Sequence, residues 1–425
     1  MDDERFDVVV VGAGLAGLAA ATVAARRGAR VLCLDGRADP GGRARTERVE
    51  GYSFNQGPHA LYRGGAGWGV LAELGIRPVG HTPSYRRARL WRDGELLTPR
   101  QALSHGAWRD LGRALGPSAR RRAAGRSTAD WLDDLSTEAG RDAVSALLRI
   151  TSYLADVEHV DAEASVAQLR RAQRGVWYLH GGWQQLVEEL RAASEAAGVS
   201  IRTRCKVTAV ESDAKGTAVT HGDGGVVRSP ATIVAAGGPH HADVLLGASS
   251  AIVSRWAADA RPVVAACLDL AVSSLPEGRV GPVLGLDQPW YLIPHTPSAR
   301  LAPAGGELVH AMRYSVDREP DADHHAALEH LVDAVHPTWR EHLVNARFGR
   351  RLVVAHDRPQ PGVATTDRPS HLVADTPGVF VAGDWITSDG MLADAALASG
   401  RAAGLAAAAT AAGHGDARPI TIGRG

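Results

Sequence analysis

Lysine is almost missing from this chain. Of its forty-seven basic residues only Lys206 and Lys215 are lysines; the rest are arginines, which restricts the amine chemistry available. Net charge is missing too. Forty-seven acidic residues cancel the basic ones, so no global field draws the protein to nucleic acid. Three cysteines, Cys33, Cys205 and Cys267, lie far apart without a CxxC pair. That spacing speaks against disulfides and metal knuckles and for buried, reduced thiols; no metal site is expected. No apolar run approaches the roughly 20 residues of a membrane span, and only Met1-Asp2-Asp3-Glu4-Arg5 precedes the first apolar stretch. The expectation is a cytoplasmic protein without a signal peptide. At 425 residues two domains are expected, possibly interleaved.

Against these absences stands one dense motif. Residues 6–11, Phe-Asp-Val-Val-Val-Val, read as a strand buried on both faces of a parallel sheet. Gly12-Ala13-Gly14-Leu15-Ala16-Gly17 follows at once: Gly12 for the tight turn, Gly14 for close approach of a pyrophosphate, Gly17 for helix–strand packing. A helix of small residues then stops at Gly28, and a second strand, residues 30–34, ends at Asp35. That carboxylate lies at the spacing expected for a ribose partner, about 20 residues on. Beyond it, Gly36-Arg37 leads to Gly41-Gly42-Arg43-Ala44. Here adjacent backbone N–H groups and a guanidinium fork suit phosphate oxygens, although a polar loop explains the same letters in isolation.

Further along, residues 52–60 read as an alternating strand ending in a Gly57-Pro58 turn that carries His59. Residues 99–174 turn to helical periodicity, with Ser127 placed as a helix cap. Arg120-Arg121-Arg122 reads either as a solvated helix end or as a face for an anionic surface or peripheral membrane contact. His180-Gly181-Gly182-Trp183 opens an amphipathic helix to Ala197, and one strand is expected over 201–210. Residues 231–238 are a strand running into glycines without a second GxGxxG, so they close the first nucleotide domain. Strands over 263–270, 290–293 and 307–312 with a helix over 321–335 suggest a second sheet with a helical cover. Finally, residues 379–385 read as a strand ending at Gly383-Asp384, and Met391-Leu392 opens a helix of small residues whose positive end suits an anionic group.

Taken together, Gly12 to Gly17 with Asp35, Gly41-Gly42-Arg43, the His180 to Leu186 segment and Gly383-Asp384 with its helix resemble the flavin amine oxidase and phytoene desaturase superfamily across nearly the whole chain. The resemblance implies an α/β fold in which a Rossmann-like FAD-binding domain (1–80, 175–240, 356–425) interleaves with a substrate domain of mixed sheet plus helices (81–174, 241–355). It implies one non-covalent FAD. Gly12, Gly14, Gly17, Gly42 and Arg43 would hold the pyrophosphate and Asp35 the adenosine ribose, with Ala13, Leu15, Ala16, Gly36, Arg37 and Ala44 also cofactor-binding. Val207 would meet the adenine, with Ala236 lining the same site. Asp384 would meet the ribityl-pyrophosphate side and the helix start at Met391-Leu392 flavin N1 and O2, with Gly383 and Ala395 also cofactor-binding. Gly57, Pro58 and His59 would lie near the ring, with His59 the one catalytic candidate.

Two departures bear on substrate. Neither Lys206 nor Lys215 suits the lysine that amine oxidases place near flavin N5, and no cysteine follows Cys267 to tether flavin. Trp385 and the Asp389-Gly390-Met391-Leu392 turn resemble the desaturase branch. The expectation is a hydride-abstracting desaturase or dehydrogenase on an isoprenoid or polyene intermediate, with oxygen, a quinone or another diffusible acceptor taking the electrons. A lysine-free amine or amino-acid oxidase is the alternative, and a non-catalytic lipid-binding escort of the same fold a remote one.

Overall fold

The computed structural model describes residues 5–222, 224–276, 280–314, 322–363 and 368–416. Strand β1 (Val8–Val11), helix α1 (Leu15–Arg26) and strand β2 (Val31–Leu34) form where the motif places them. Every residue of β1 and β2 is buried, as an apolar run covered on both faces requires: α1 and the C-terminal helix cover one face, and Val207, Val210 and Val219 the other. They belong to a five-stranded parallel sheet in the order Ser200–Arg202, β2, β1, Ala231–Val234, Val379–Val381. The C-terminal helix, Leu392–Asp416, lies along α1. Its small residues have a packing reason: a Cβ on Gly400 would stand 2.3 Å from the Ala16 carbonyl oxygen, and one on Gly404 2.5 Å from that of Ala20.

A second, seven-stranded sheet runs Leu343–Ala355, Val263–Val272, Glu307–Tyr314, Trp290–Pro294, Val283–Gly285, Arg89–Arg92, Glu95–Leu97. All its pairs are antiparallel except Val283–Gly285 with Arg89–Arg92. Alternation along Val263–Val272 divides two cores. Val263, Ala265, Cys267 and Ala271 pack with the helices of residues 99–173, whereas Val264, Ala266, Leu268 and Leu270 pack with Leu328, Leu331 and Val332 of helix His324–Val335. A strand covered on both sides loses the polar–apolar alternation that makes register readable.

Three expectations need correction. The single strand over 201–210 is two strands, Ser200–Arg202 and Val207–Asp213, because Arg204 adopts φ +54° and the Cys205 N–H turns to the Asp35 carbonyl at 2.8 Å. The first piece ends the nucleotide sheet; the second starts a separate three-stranded sheet. The strand over 52–60 stops at Phe54, freeing residues 55–60 to run to the seven-stranded sheet, where Gly57 meets Cys267, Leu352 and Met312. The helix over 321–335 begins at His324, where Asp323 caps it by accepting from Ala326 N–H; residue 321 lies outside the described residues. Ser127 caps Thr128–Leu132 as expected, accepting from Asp130 N–H at 3.1 Å. In the basic cluster, Arg120 pairs with Glu163 at 2.9 Å.

Candidate cofactor and active site

A cleft of about 1100 Å³ runs from the carboxyl ends of β1 and β2 to the seven-stranded sheet, the place where open parallel sheets bind ligands. Its first part is almost entirely backbone. Gly12 has φ +101°, and a Cβ on Gly17 would lie 1.8 Å from the Gly12 carbonyl oxygen; the turn and the helix start interlock and neither tolerates a side chain. By contrast, a Cβ on Gly14 would meet nothing within 4 Å. The start of α1 has no side-chain cap, so its N–H groups face that open space with the positive end of the helix dipole. This cradle fits a pyrophosphate. Asp35 is fixed beside it, accepting from Ala13 N–H and Arg37 N–H at 2.8 Å each, and Gly36, Lys206 and Val207 line the same end.

The middle of the cleft is organised by Asp384. The Arg43 guanidinium grips it with both arms, at 2.8 and 3.0 Å, and donates also to the Val354 carbonyl at 2.7 Å. His356 adds its backbone N–H at 3.1 Å and its ring Nδ1 at 2.8 Å. Burial alone would raise the Asp384 carboxyl, but Arg43 and His356 outweigh it and hold it well below the usual carboxylate range. The carboxylate is 2% exposed and Arg43 37%, so the guanidinium is both anchor and cleft wall. Ser399 Oγ ties the preceding residue down, accepting from Gly383 N–H and donating to its carbonyl.

At the far end the walls are side chains: His59, Ala60, Tyr153, Trp183, Met312, Leu352 and Leu392. The His59 ring lies 5.0 Å from Trp183, with Nδ1 2.9 Å from the Gly57 carbonyl; burial lowers its pKa and favours the neutral imidazole. Tyr153 donates to the Pro58 carbonyl at 3.2 Å, and burial pushes its phenol up. Trp183 is aimed by Asn55 and Thr46, which accept from the N–H groups of Trp183 and Gln184 at 3.0 Å. Leu392 opens the C-terminal helix with φ +57°, an uncommon conformation for a branched side chain.

Of the residues expected in the site, Gly12, Gly14, Leu15, Ala16, Asp35, Gly36, Arg37, Gly42, Arg43, Ala44, Pro58, His59, Val207, Ala236, Gly383, Asp384 and Leu392 line the cleft. Ala13, Gly17, Gly57, Met391 and Ala395 do not line it. Ala13 spends its N–H on Asp35, Gly17 sits under Gly12, and Gly57 faces Cys267 and Met312. Sequence reasoning missed Tyr153, Met312, Leu352 and His356, which carry no local motif. Trp183 belongs to the His180–Leu186 segment, whose letters alone assign it no part in the cleft.

The sheet order and the helix-start cradle define a dinucleotide-binding α/β protein. A family model described as flavin containing amine oxidoreductase matches residues 15–407, and the chain belongs to that family, whose cofactor is FAD. Among curated relatives, a putative flavin-containing monoamine oxidase, AofH, of Mycobacterium tuberculosis is 31% identical over 254 residues, 51% of this chain and 54% of that protein. Hydroxyneurosporene desaturase of Rhodobacter capsulatus is 40% identical over 95 residues, 21% of this chain and 19% of that protein. The chain thus spans about half the length of the first relative and less of the second. Among solved structures, an oxidoreductase from Methanosarcina mazei superposes with a TM-score of 0.75 at 18% identity, covering 93% of this chain and 99% of that one. A putrescine oxidase variant gives 0.75 at 16%, covering 95% and 99%. These likenesses show a shared fold. Among the described residues no helix is long and apolar enough to cross a membrane.

Proposed function

We propose that the protein is an FAD-dependent oxidoreductase that removes a hydride from an apolar organic substrate, of isoprenoid or polyene type, at the far end of the cleft. One observation carries the substrate reading: that end is walled by Ala60, Tyr153, Trp183, Met312, Leu352 and Leu392 around a neutral His59, with neither a carboxylate nor a lysine among them. A protonated amine would be desolvated there without a counter-charge, which is costly; a hydrocarbon would not. When bound, FAD supplies the two-electron acceptor. The protein's own part is to hold it through the Gly14 cradle and the Arg43–Asp384 pair, and to exclude water from the reacting carbon with its apolar wall. Lys206 lines the opposite end, beside Gly36 and Val207, so it does not serve the reacting end.

A second reading, amine oxidation, is favoured by the aromatic faces of Trp183 and Tyr153, which suit an amine's α-carbon and, weakly, its charge, and by the likeness to AofH. Anaerobic mixing of the holoenzyme with a panel of polyenes and primary and secondary amines separates the two. Bleaching of the flavin by polyenes alone supports the first reading; bleaching by amines alone overturns it. The reduced enzyme, mixed in turn with oxygen, a quinone, NAD⁺ and NADP⁺, is expected to reoxidise with oxygen or the quinone, because residues 231–238 carry no second dinucleotide turn.

A further inference from the structure

The seven-stranded sheet buries a polar cluster that the cleft does not use. Cys267 and Asp269 are two residues apart on Val263–Val272, so both side chains leave the same face, and His310 on the neighbouring strand stands directly across from Asp269. The Cys267 thiol donates to Asp269 Oδ1 at 2.9 Å, and His310 Nδ1 lies 2.6 Å from the same oxygen. The sulfur, oxygen and nitrogen all fall within 4.8 Å of one another, and all three residues are buried.

Two features distinguish this cluster from an ordinary buried hydrogen-bond pair. His310 Nε2 has no hydrogen-bond partner, and neither nitrogen of His295 has one, although His295 is 1% exposed and its ring centroid is only 4.8 Å from that of His310. A buried imidazole with both nitrogens unused is a poor core residue. Burial also keeps His295 neutral, with a lone pair free.

We propose that Cys267, Asp269 and His310 bind a divalent cation, with the unpartnered His295 ring beside them, and that the mixed sulfur, nitrogen and oxygen donor set selects Zn²⁺. The charges balance: a thiolate and a carboxylate neutralise the dication, so the loaded site is neutral in a low-dielectric core. Binding releases the thiol proton, and so strengthens as pH rises, while the imidazole of His310 keeps its one N–H at the unpartnered Nε2. Ligand atoms of a tetrahedral zinc ion stand about 3.3–3.6 Å apart, so the two short contacts need to open by only about 0.7 Å. The ligands sit on adjacent strands of a rigid sheet, the kind of support that preorganises a site. Cys267 is then a ligand, not the inert thiol that its isolated position in the sequence suggests. A Cβ on Gly57 would lie 3.5 Å from its sulfur, so the ion would rest beneath the backbone that carries Pro58 and His59 into the cleft.

The test needs no substrate. Purified holoenzyme is freed of loose metal by gel filtration, its metal content is measured, and the chelator-treated protein is titrated with Co²⁺ alone. The proposal expects about one zinc ion per chain and, with cobalt, a thiolate-to-metal absorption band with tetrahedral d–d intensity. C267S and H310Q each abolish the band. C205S keeps it, although Cys205 has its own histidine contact, 3.1 Å to His221 Nδ1, and so serves as the control for a surface site. Circular dichroism of H310Q guards against misreading an unfolded C267S. Zinc-free protein that gives no thiolate band, or a band that survives C267S and vanishes in C205S, overturns the assignment.

Discussion

The two ends of the cleft are built from different materials. At the Gly14 end the working groups are backbone N–H groups, and side chains matter by being absent; at the Trp183 end the working groups are side chains delivered by six separate segments. Substitutions should therefore act in opposite ways. Adding atoms damages the first end, and removing them damages the second.

The largest effect is expected for Gly17→Ala. Its Cβ would enter the Gly12 carbonyl at 1.8 Å, a backbone clash that no rotamer relieves, so destabilisation at or above about 3 kcal/mol is expected from thermal unfolding. Gly14→Ala is the matched contrast. Its Cβ meets nothing, so stability should change by less than about 1 kcal/mol, while the FAD dissociation constant rises about tenfold or more because the methyl fills the cradle. Equal losses of stability in the two variants would break the comparison.

Next comes Arg43→Ala, which strips a bidentate partner from a buried carboxylate. Breaking such a pair costs about 3–5 kcal/mol; the low end is expected here, because Arg43 is partly exposed and His356 still holds Asp384. FAD affinity should fall with it, and by more than in Asp35→Ala, whose carboxylate is held by exchangeable backbone contacts at the cleft rim.

Asp394 gives a pH test in the first turn of the C-terminal helix. Burial raises its pKa to about 7, against the opposing Gly67 N–H and Arg171, and its Oδ2 has no hydrogen-bond partner. A raised carboxyl pKa means that the folded state holds the proton more tightly than the unfolded one. Its contribution to stability is therefore fully present below the unfolded value near 4 and is lost as pH rises to about 7. Asp394→Asn keeps an acceptor for Gly67 and removes the titration. The variant should gain melting temperature relative to wild type at pH 8 but little at pH 4, and a difference independent of pH would contradict the assignment.

The smallest effect is that of Tyr153→Phe, which loses one hydrogen bond to Pro58, worth about 1 kcal/mol. Its interest lies in rate: a wall that orients the substrate should lose turnover while FAD affinity stays unchanged.

The same contrast explains what could be read from the sequence. The Gly12–Gly17 turn and Asp35 are legible because a backbone site needs particular residues at fixed local spacing, and β1, α1 and β2 follow from one continuous pattern. The other end is not legible, since Tyr153, Met312 and Leu352 reach the cleft from different elements and none has a local signature. Arg43 and Asp384 were each visible, but their mutual grip spans 341 positions, and His356 appeared in no motif. The break at Arg204 has no sign in the sequence because 201–210 has unbroken strand composition, and only the turn of Cys205 toward Asp35 makes the left-handed residue necessary.

The central claim is that the backbone-built end of this cleft holds FAD and that nothing tethers it. The direct measurement is the visible spectrum of the purified protein, followed by acid precipitation and quantification of FAD in the supernatant. The account predicts a yellow protein that releases about one FAD per chain into solution. A correctly folded, colourless protein that ignores added FAD, or colour that stays in the pellet, would contradict it.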